Sequence, residues 1–230
     1  MKRKILVCIS LISIACIFAL GNYEFNKVHN ITYNTKISDS INKKEEVATV
    51  AKNENEKEIN SDIIGSIKIE GTNIDYKVVQ TSNNEYYLNH SITKKKNAIG
   101  SIFLDYRNNP EDRKLLIYGH NSRTLKSAPF HDLEKYLDKI YLRNHKYVTL
   151  NINNHENVYE IFSIMIVTGN NHMKTSFNDK EYIKHLKWME DNSLYDTGVD
   201  VGLNDKILTL QTCYYNPDNS YLLVNAKKIK

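Results

Sequence analysis

The sequence is poor in glycine and proline, which account for 8 and 3 of its 230 residues. This scarcity excludes collagen-like, proline-rich and glycine-rich low-complexity architectures. The chain also lacks a positive excess beyond its N-terminus, because Lys2, Arg3 and Lys4 supply three of the four net positive charges. A nucleic-acid-binding protein keeps its positive charge on the folded surface, so no nucleic-acid partner is expected.

Cysteine is scarce as well, with three residues at positions 8, 16 and 213. The first two lie in an apolar stretch, so the remainder of the chain has Cys213 as its single thiol and forms no internal disulfide. Clustered histidine or paired cysteine ligands of the kind that hold zinc are missing too. The sequence therefore predicts neither a metal site nor a cofactor.

A charged N-terminus precedes a long hydrophobic run. Residues 5–20 carry no charge and follow three basic residues. As a helix this run spans about 24 Å, close to the hydrocarbon thickness of a bilayer. The basic flank predicts a single-pass membrane anchor over residues 1–21, with the rest of the chain outside the cell. The alternative is a signal peptide cleaved near Ala19-Leu20-Gly21, which also exports the body.

The chain beyond the anchor divides at about residue 60. Residues 22–60 are polar and predict a membrane-proximal spacer with a helical portion at 37–52. Residues 61–230 predict the folded domain, which starts with a hairpin at 64–79 around Gly71. Alternating patterns predict further strands at 99–104, 115–118, 147–152, 158–167, 207–212 and 221–224. Helical spacing appears at 125–137 and 179–192. The expected fold class is mostly β: an eight-stranded, mostly antiparallel barrel or closed sheet with inserted helices.

Cys213 is the first candidate for chemistry. It directly follows the predicted strand at 207–212 and, by strand alternation, shares one face with Thr209 and Gln211. A lone cysteine is either a small buried hydrophobic residue or a nucleophile, and a nucleophile needs a base, usually histidine. Of eight histidines, His120 follows an apolar strand that Gly119 closes, whereas the others lie where solvated histidine is expected.

These residues resemble a known family. The stretches Tyr118-Gly-His-Asn121 and Thr209-Leu-Gln-Thr-Cys213, with residues 99–108 and Val78-Val-Gln80, are similar to class B sortases of Gram-positive bacteria. The resemblance implies a sortase-type barrel and a membrane-anchored extracellular cysteine transpeptidase. It assigns Cys213 as the nucleophile and His120 as the general acid and base.

The resemblance also implies partners and a groove. The partners are secreted proteins with a C-terminal sorting motif of the Asn/Ser/Pro-Pro-x-Thr type and an amine of the peptidoglycan. Because an amide bond is both broken and made, no energy source is required. The family's substrate-binding positions fall on Asn84, Leu88, Tyr118, Thr168, His172, Met173 and Gln211. Ordinary packing or loop solvation is the alternative for each of these residues.

One family feature is missing, because no arginine follows Cys213. Sortases carry an arginine on the next strand, and its position falls here on Tyr221, whose hydroxyl donates one hydrogen bond without charge. Three possibilities remain open: Tyr221 substitutes at a lower rate, Arg107 or Arg123 reaches the site, or the protein is a weak or inactive relative that binds sorting peptides. For Arg107, a structural ion pair with Asp105 is expected instead.

Two other cysteine protease classes fit poorly. A papain-like enzyme has its cysteine before its histidine, whereas the order here is reversed. A chymotrypsin-like cysteine protease needs glycines beside the nucleophile, and Cys213 has none.

Overall fold

The computed structural model describes residues 60–230. The predicted anchor over residues 1–21 and the spacer at 22–60, apart from its last residue, lie outside this part of the chain. The described part forms strands β1 Ile63–Lys68, β2 Asp75–Val79, β3 Ile102–Leu104, β4 Lys114–Tyr118, β5 Tyr147–Ile152, β6 His155–Val167, β7 Ile207–Tyr214 and β8 Ser220–Lys228. Its α-helices are α1 Lys139–Asn144 and α2 Asp179–Asp191. Short 3-10 helices cover Tyr86–Leu88, His131–Leu137 and Asn171–Met173. Among residues 60–230, none of the helices has the length and apolar character needed to cross a bilayer.

The eight strands close into a barrel in the order β1-β2-β3-β4-β7-β8-β6-β5. Neighbouring strands pair antiparallel except β2 with β3 and β4 with β7, which are parallel. This confirms the predicted eight-stranded, mostly antiparallel barrel. The first hairpin forms as predicted, because Gly71 adopts a left-handed φ of 80° in its turn.

The predicted boundaries fail mainly at β3, β8 and the first helix. β3 has only three residues, and β8 continues to Lys228 along β6 and β7. The helical spacing at 125–137 forms a 3-10 helix over His131–Leu137, and α1 follows it separately. Asp138 ends the first and caps the second by accepting a hydrogen bond from the Ile140 amide at 2.7 Å.

Helix α2 covers one outer face of the barrel. Asn178 and Glu181 form a capping box that fixes its start. Its buried side chains pack against the outward residues of β6, β7 and β8, in a cluster of Tyr182, Leu186, Met189, Phe162, Met165, Ile207 and Leu223. Tyr221 packs against the edge of this cluster.

Strands β7 and β8 alternate between the barrel interior and this outer face. Leu208, Leu210 and Leu222 belong to the interior core. Because side chains alternate along a strand, Gln211 and Cys213 point to the outer face. The predicted face of Thr209, Gln211 and Cys213 thus lies on the side that α2 covers.

Candidate active site

Cys213 lies near the end of β7 and is half-buried. Burial raises the pKa of its thiol above the ordinary value, so the protonated thiol predominates at neutral pH. The residue opposite it on β8 is Tyr221. The backbone at Cys213 is fixed by Asn121, whose side-chain amide donates to the Cys213 carbonyl oxygen at 3.1 Å.

Residues 118–121, called here the β4 exit, run beside the end of β7. Tyr118 is in register with Gln211, and the Gly119 amide donates to the Gln211 carbonyl at 3.2 Å. The Thr212 hydroxyl donates to the Gly119 carbonyl at 2.7 Å. A Cβ atom at position 119 would lie 2.6 Å from the Phe130 ring, so any residue larger than glycine requires the ring or the backbone to shift. These contacts place His120 at the strand end next to Cys213.

The imidazole of His120 is held by the chain that follows β2. Its Nε2 lies 2.7 Å from the Leu88 carbonyl oxygen. A carbonyl can only accept a hydrogen bond, so Nε2 carries a proton and the Leu88 contact fixes it there. In residues 60–230 no hydrogen bond joins this ring to the Cys213 thiol. In substrate-free structures such catalytic contacts are often long and tighten with substrate.

Both arginines that were candidates for the site are engaged elsewhere. Arg107 binds Asp105 through Nε at 2.9 Å and Nη2 at 2.7 Å, which is the expected ion pair. Arg123 donates to the Tyr215 carbonyl at 2.7 Å and to Asp218 at 2.5 Å. Tyr221 is therefore the side chain that strand register presents to Cys213.

Three of the predicted groove residues meet around Asp105. The Asn84 amide donates to its carboxylate at 3.0 Å and the Tyr118 hydroxyl at 2.7 Å. Arg107 extends from this carboxylate to the Met173 carbonyl at 2.7 Å. Met173 also packs against the apolar cluster that contains Tyr118. The structure thus brings Asn84, Tyr118 and Met173 together.

The other predicted groove residues differ in exposure. Leu88 is 42% exposed, as a substrate contact requires. Thr168 is exposed just beyond the end of β6. Gln211 is 6% exposed, and its side-chain oxygen has no hydrogen-bond partner.

The expectation of a solvated His172 is wrong. The residue is 0% exposed and its ring lies 5.1 Å from the Tyr221 ring. Within the described part of the chain, neither ring nitrogen has a hydrogen-bond partner. Burial and the nearby Lys114 lower the pKa of His172 to about 4, although Gln211 acts in the opposite direction. His185 of α2 is buried as well, and burial with the charge of Lys114 lowers its pKa to about 3.

Sequence reasoning missed Lys114. A lysine that opens an apolar strand is usually solvent-exposed, yet Lys114 is 0% exposed. No sequence signal marks it, because its partners are distant along the chain. Within residues 60–230, no three histidine, cysteine or acidic side chains converge to hold a metal ion.

Comparisons with known proteins give a consistent set of relatives. The sequence matches the family profile described as "Sortase domain" over residues 67–229. It is 37% identical to sortase B of Listeria monocytogenes over 161 residues, which cover 67% of this chain and 64% of that protein.

Solved structures agree in fold. A mutant form of Clostridium perfringens sortase B superposes with a TM-score of 0.77 at 37% identity, covering 81% of this chain and 90% of that one. A Staphylococcus aureus sortase B–substrate complex gives a TM-score of 0.71 at 32% identity, covering 77% of this chain and 84% of that one.

Proposed function

Because the chain belongs to the sortase family, in its class B, we propose that it is a membrane-anchored extracellular cysteine transpeptidase. The observation that carries this proposal is the position of Cys213. It lies next to the last residue of β7 on the outer face of the barrel, and the β4 exit runs beside it with His120. A half-buried thiol beside a histidine at a strand end is an arrangement suited to acyl transfer.

In the proposed reaction the Cys213 thiol gives its proton to His120 as the sulfur attacks a backbone carbonyl carbon of the sorting motif. The peptide C–N bond breaks, and the His120 imidazolium passes a proton to the departing amine. The product is a thioester on Cys213 beside a neutral His120. An amine of the peptidoglycan then attacks the thioester, gives a proton to His120 and displaces the Cys213 sulfur, which takes a proton from His120 and leaves as the free thiol. Bonds and protons balance over the cycle.

Tyr221 is proposed as the donor to the developing oxyanion. It lies opposite Cys213 in the β7–β8 register, and its hydroxyl supplies one neutral hydrogen bond in place of a guanidinium. A neutral hydroxyl stabilises the oxyanion less than the charged guanidinium of an arginine, which donates two hydrogen bonds. We therefore expect slower acylation than an arginine at this position would allow.

The proposed groove lies along the residues that the resemblance identifies. Its contacts come from Asn84, Leu88, Thr168 and Met173, and Asn84 is linked to Met173 through Asp105 and Arg107. Three buried residues support the groove from behind, namely Tyr118, His172 and Gln211. The Staphylococcus aureus relative in complex with substrate supports a peptide occupant.

The remaining parts of the proposal concern the cell surface. Residues 1–21 anchor the protein in the membrane, and the folded domain lies outside the cell. Its partners are secreted proteins with a C-terminal sorting motif and an amine of the peptidoglycan.

A second candidate function is a catalytically weak or inactive protein that binds sorting peptides. The neutral Tyr221 and the raised pKa of Cys213 favour this alternative. Mass spectrometry of the purified protein with a library of sorting-motif peptides separates the two. An acyl adduct on Cys213 supports the transpeptidase, whereas peptide binding without an adduct or cleavage supports the binding protein.

A further inference from the structure

Three consecutive backbone carbonyls before α2 all accept hydrogen bonds from cations. Lys114 Nζ donates to the His172 carbonyl at 2.5 Å and to the Lys174 carbonyl at 2.9 Å. Arg107 Nη2 donates to the carbonyl between them, that of Met173, at 2.7 Å. Residues 171–174, called here the β6–α2 segment, are thus held by two cations from distant parts of the chain.

Lys114 is unusual because no carboxylate of residues 60–230 contacts it. Its third neighbour is His185 Nε2 at 3.1 Å, so three acceptors match the three donors of an ammonium group. Burial and the charge of Arg107 lower its pKa to about 7. A buried ammonium without a counterion is costly, and here two of its three hydrogen bonds hold the carbonyls of one segment.

Arg107 connects the same segment to the opposite side of the proposed groove. Its guanidinium is oriented by Asp105, whose carboxylate also accepts from Asn84 and Tyr118. The Asp105 carboxylate is fully buried, whereas the Arg107 side chain is 39% exposed. A displacement of Arg107 would therefore move groove residues on both sides.

The β6–α2 segment also contacts Tyr221. The buried His172 ring packs against the Tyr221 ring, and among the described residues neither of its nitrogens has a hydrogen-bond partner. The ring is thus held by packing, whereas the backbone of the segment is held by the hydrogen bonds to its carbonyls. Tyr221 itself is fixed by strand pairing in β8. We propose that Lys114 and Arg107 are positioning residues, which clamp the β6–α2 segment so that Met173 faces the substrate with the His172 ring packed behind it. This inference rests on the proposed function for its kinetic consequences, but not for the clamp itself.

The decisive variant is Lys114→Met in the full-length protein, because methionine fills similar volume without donating hydrogen bonds. The matched control is Lys187→Met on the exposed side of α2, where the lysine side chain is 72% exposed and pairs only with Asp191. The second variant is Arg107→Lys, which keeps a charge for Asp105 but loses the fork that reaches Met173. This variant keeps the inference testable if Lys114→Met does not fold.

The first measurement is amide hydrogen exchange, which needs no activity. We expect exchange in residues 171–175 to accelerate by about tenfold or more in Lys114→Met and in Arg107→Lys, with β7 and β8 unchanged. Unchanged exchange in the segment, or equal acceleration throughout the barrel in both variants, would overturn the clamp.

The second measurement is peptide cleavage. We expect the KM to rise about tenfold while kcat changes less than about threefold, with alkylation of Cys213 as fast as in the control. An unaltered KM alongside faster segment exchange would refute the positioning role. If wild-type protein cleaves no peptide, the proposed function fails, and the exchange measurement still decides whether the clamp exists.

Discussion

The two segments that border the site are held by different interactions. The β4 exit is fixed by barrel hydrogen bonds and by close packing of Gly119 against Phe130. The β6–α2 segment depends instead on two cations that bind its carbonyls. The histidines differ accordingly: His120 is partly exposed with a fixed proton, whereas His172 is buried with no hydrogen bond.

This difference distinguishes a histidine that is able to transfer protons from one that only packs against its neighbours. A histidine that exchanges protons must be reachable and must have a defined tautomer, and His120 meets both conditions. His172 is kept neutral at neutral pH by burial and by Lys114, so it cannot act as an acid there. The comparison therefore predicts that the β4 exit controls the rate of the chemical step and the β6–α2 segment controls substrate fit.

The largest effect should come from His120→Ala. Without its proton donor the departing amine leaves slowly, so kcat/KM for a sorting peptide should fall by about 10³-fold or more. Cys213→Ala gives the background rate without the nucleophile. The matched control is His155→Ala, because His155 is an exposed histidine at the start of β6. If His120→Ala kept most of the activity in a peptide-cleavage assay, the assigned pair would be wrong.

Tyr221 should give the next largest effect. Tyr221→Phe removes the hydroxyl but keeps the ring contact with His172, so kcat should fall about 10²-fold with little change in thermal stability. Tyr221→Arg should raise turnover because a charged fork stabilises an oxyanion better than a neutral hydroxyl.

Steady-state kinetics of both variants tests the assignment. A rate that neither substitution changes would remove Tyr221 from the chemistry and favour the peptide-binding alternative.

The two segments also differ in how far sequence can predict them. The β4 exit follows from local features: an apolar strand, a glycine that packing requires, and a histidine at a fixed offset. The same local alternation places Gln211 and Cys213 on one face, and the barrel follows from eight such patterns.

The β6–α2 segment could not be predicted in this way. Its anchors lie 58 and 66 residues away from the carbonyls they bind. Neither lysine nor histidine carries a sequence mark of burial, so the expectation of solvated histidines failed at His172 and His185 and the buried Lys114 was missed. The bonds from Arg107 to Met173 and from Arg123 to Tyr215 likewise join residues distant along the chain, whereas the expected Arg107–Asp105 pair is local.

The two buried histidines should make the folded protein less stable in acid. His172 and His185 have pKa values of about 4 and 3 in the folded protein, against about 6.5 when unfolded. The unfolded chain thus binds more protons below pH 6.5, and stability falls as the pH drops. At pH 5 the loss should be about 2 kcal/mol for each ring.

His172→Phe tests this by removing one titrating ring and its unpartnered nitrogens. At pH 5 the decrease in the free energy of unfolding should be about 2 kcal/mol smaller than in the wild type. At pH 7.5 the free energy of unfolding should stay the same or increase. Lys114 should not interfere, because below pH 6 it is protonated in both states. Urea unfolding at a series of pH values provides the measurement, and identical pH profiles for variant and wild type would contradict the assignment.

The smallest effect should come from the packing of the β4 exit. A methyl group in Gly119→Ala would lie 2.6 Å from the Phe130 ring, so the ring and the backbone must shift. Gly202→Ala is the matched control, since its nearest neighbour, an Asp205 oxygen, is 3.9 Å away. Overpacking of this kind should cost about 1–2 kcal/mol in the free energy of unfolding, measured in urea, with little loss in the control.

The same substitution distinguishes the two segments kinetically. A shift at position 119 moves His120 relative to Cys213, so Gly119→Ala should lower kcat more than it raises KM. Lys114→Met should instead raise KM more than it lowers kcat, because it loosens substrate contacts and leaves His120 in place. If Gly119→Ala changed only KM, the β4 exit would be part of the substrate support as well, and the division between the two segments would not hold.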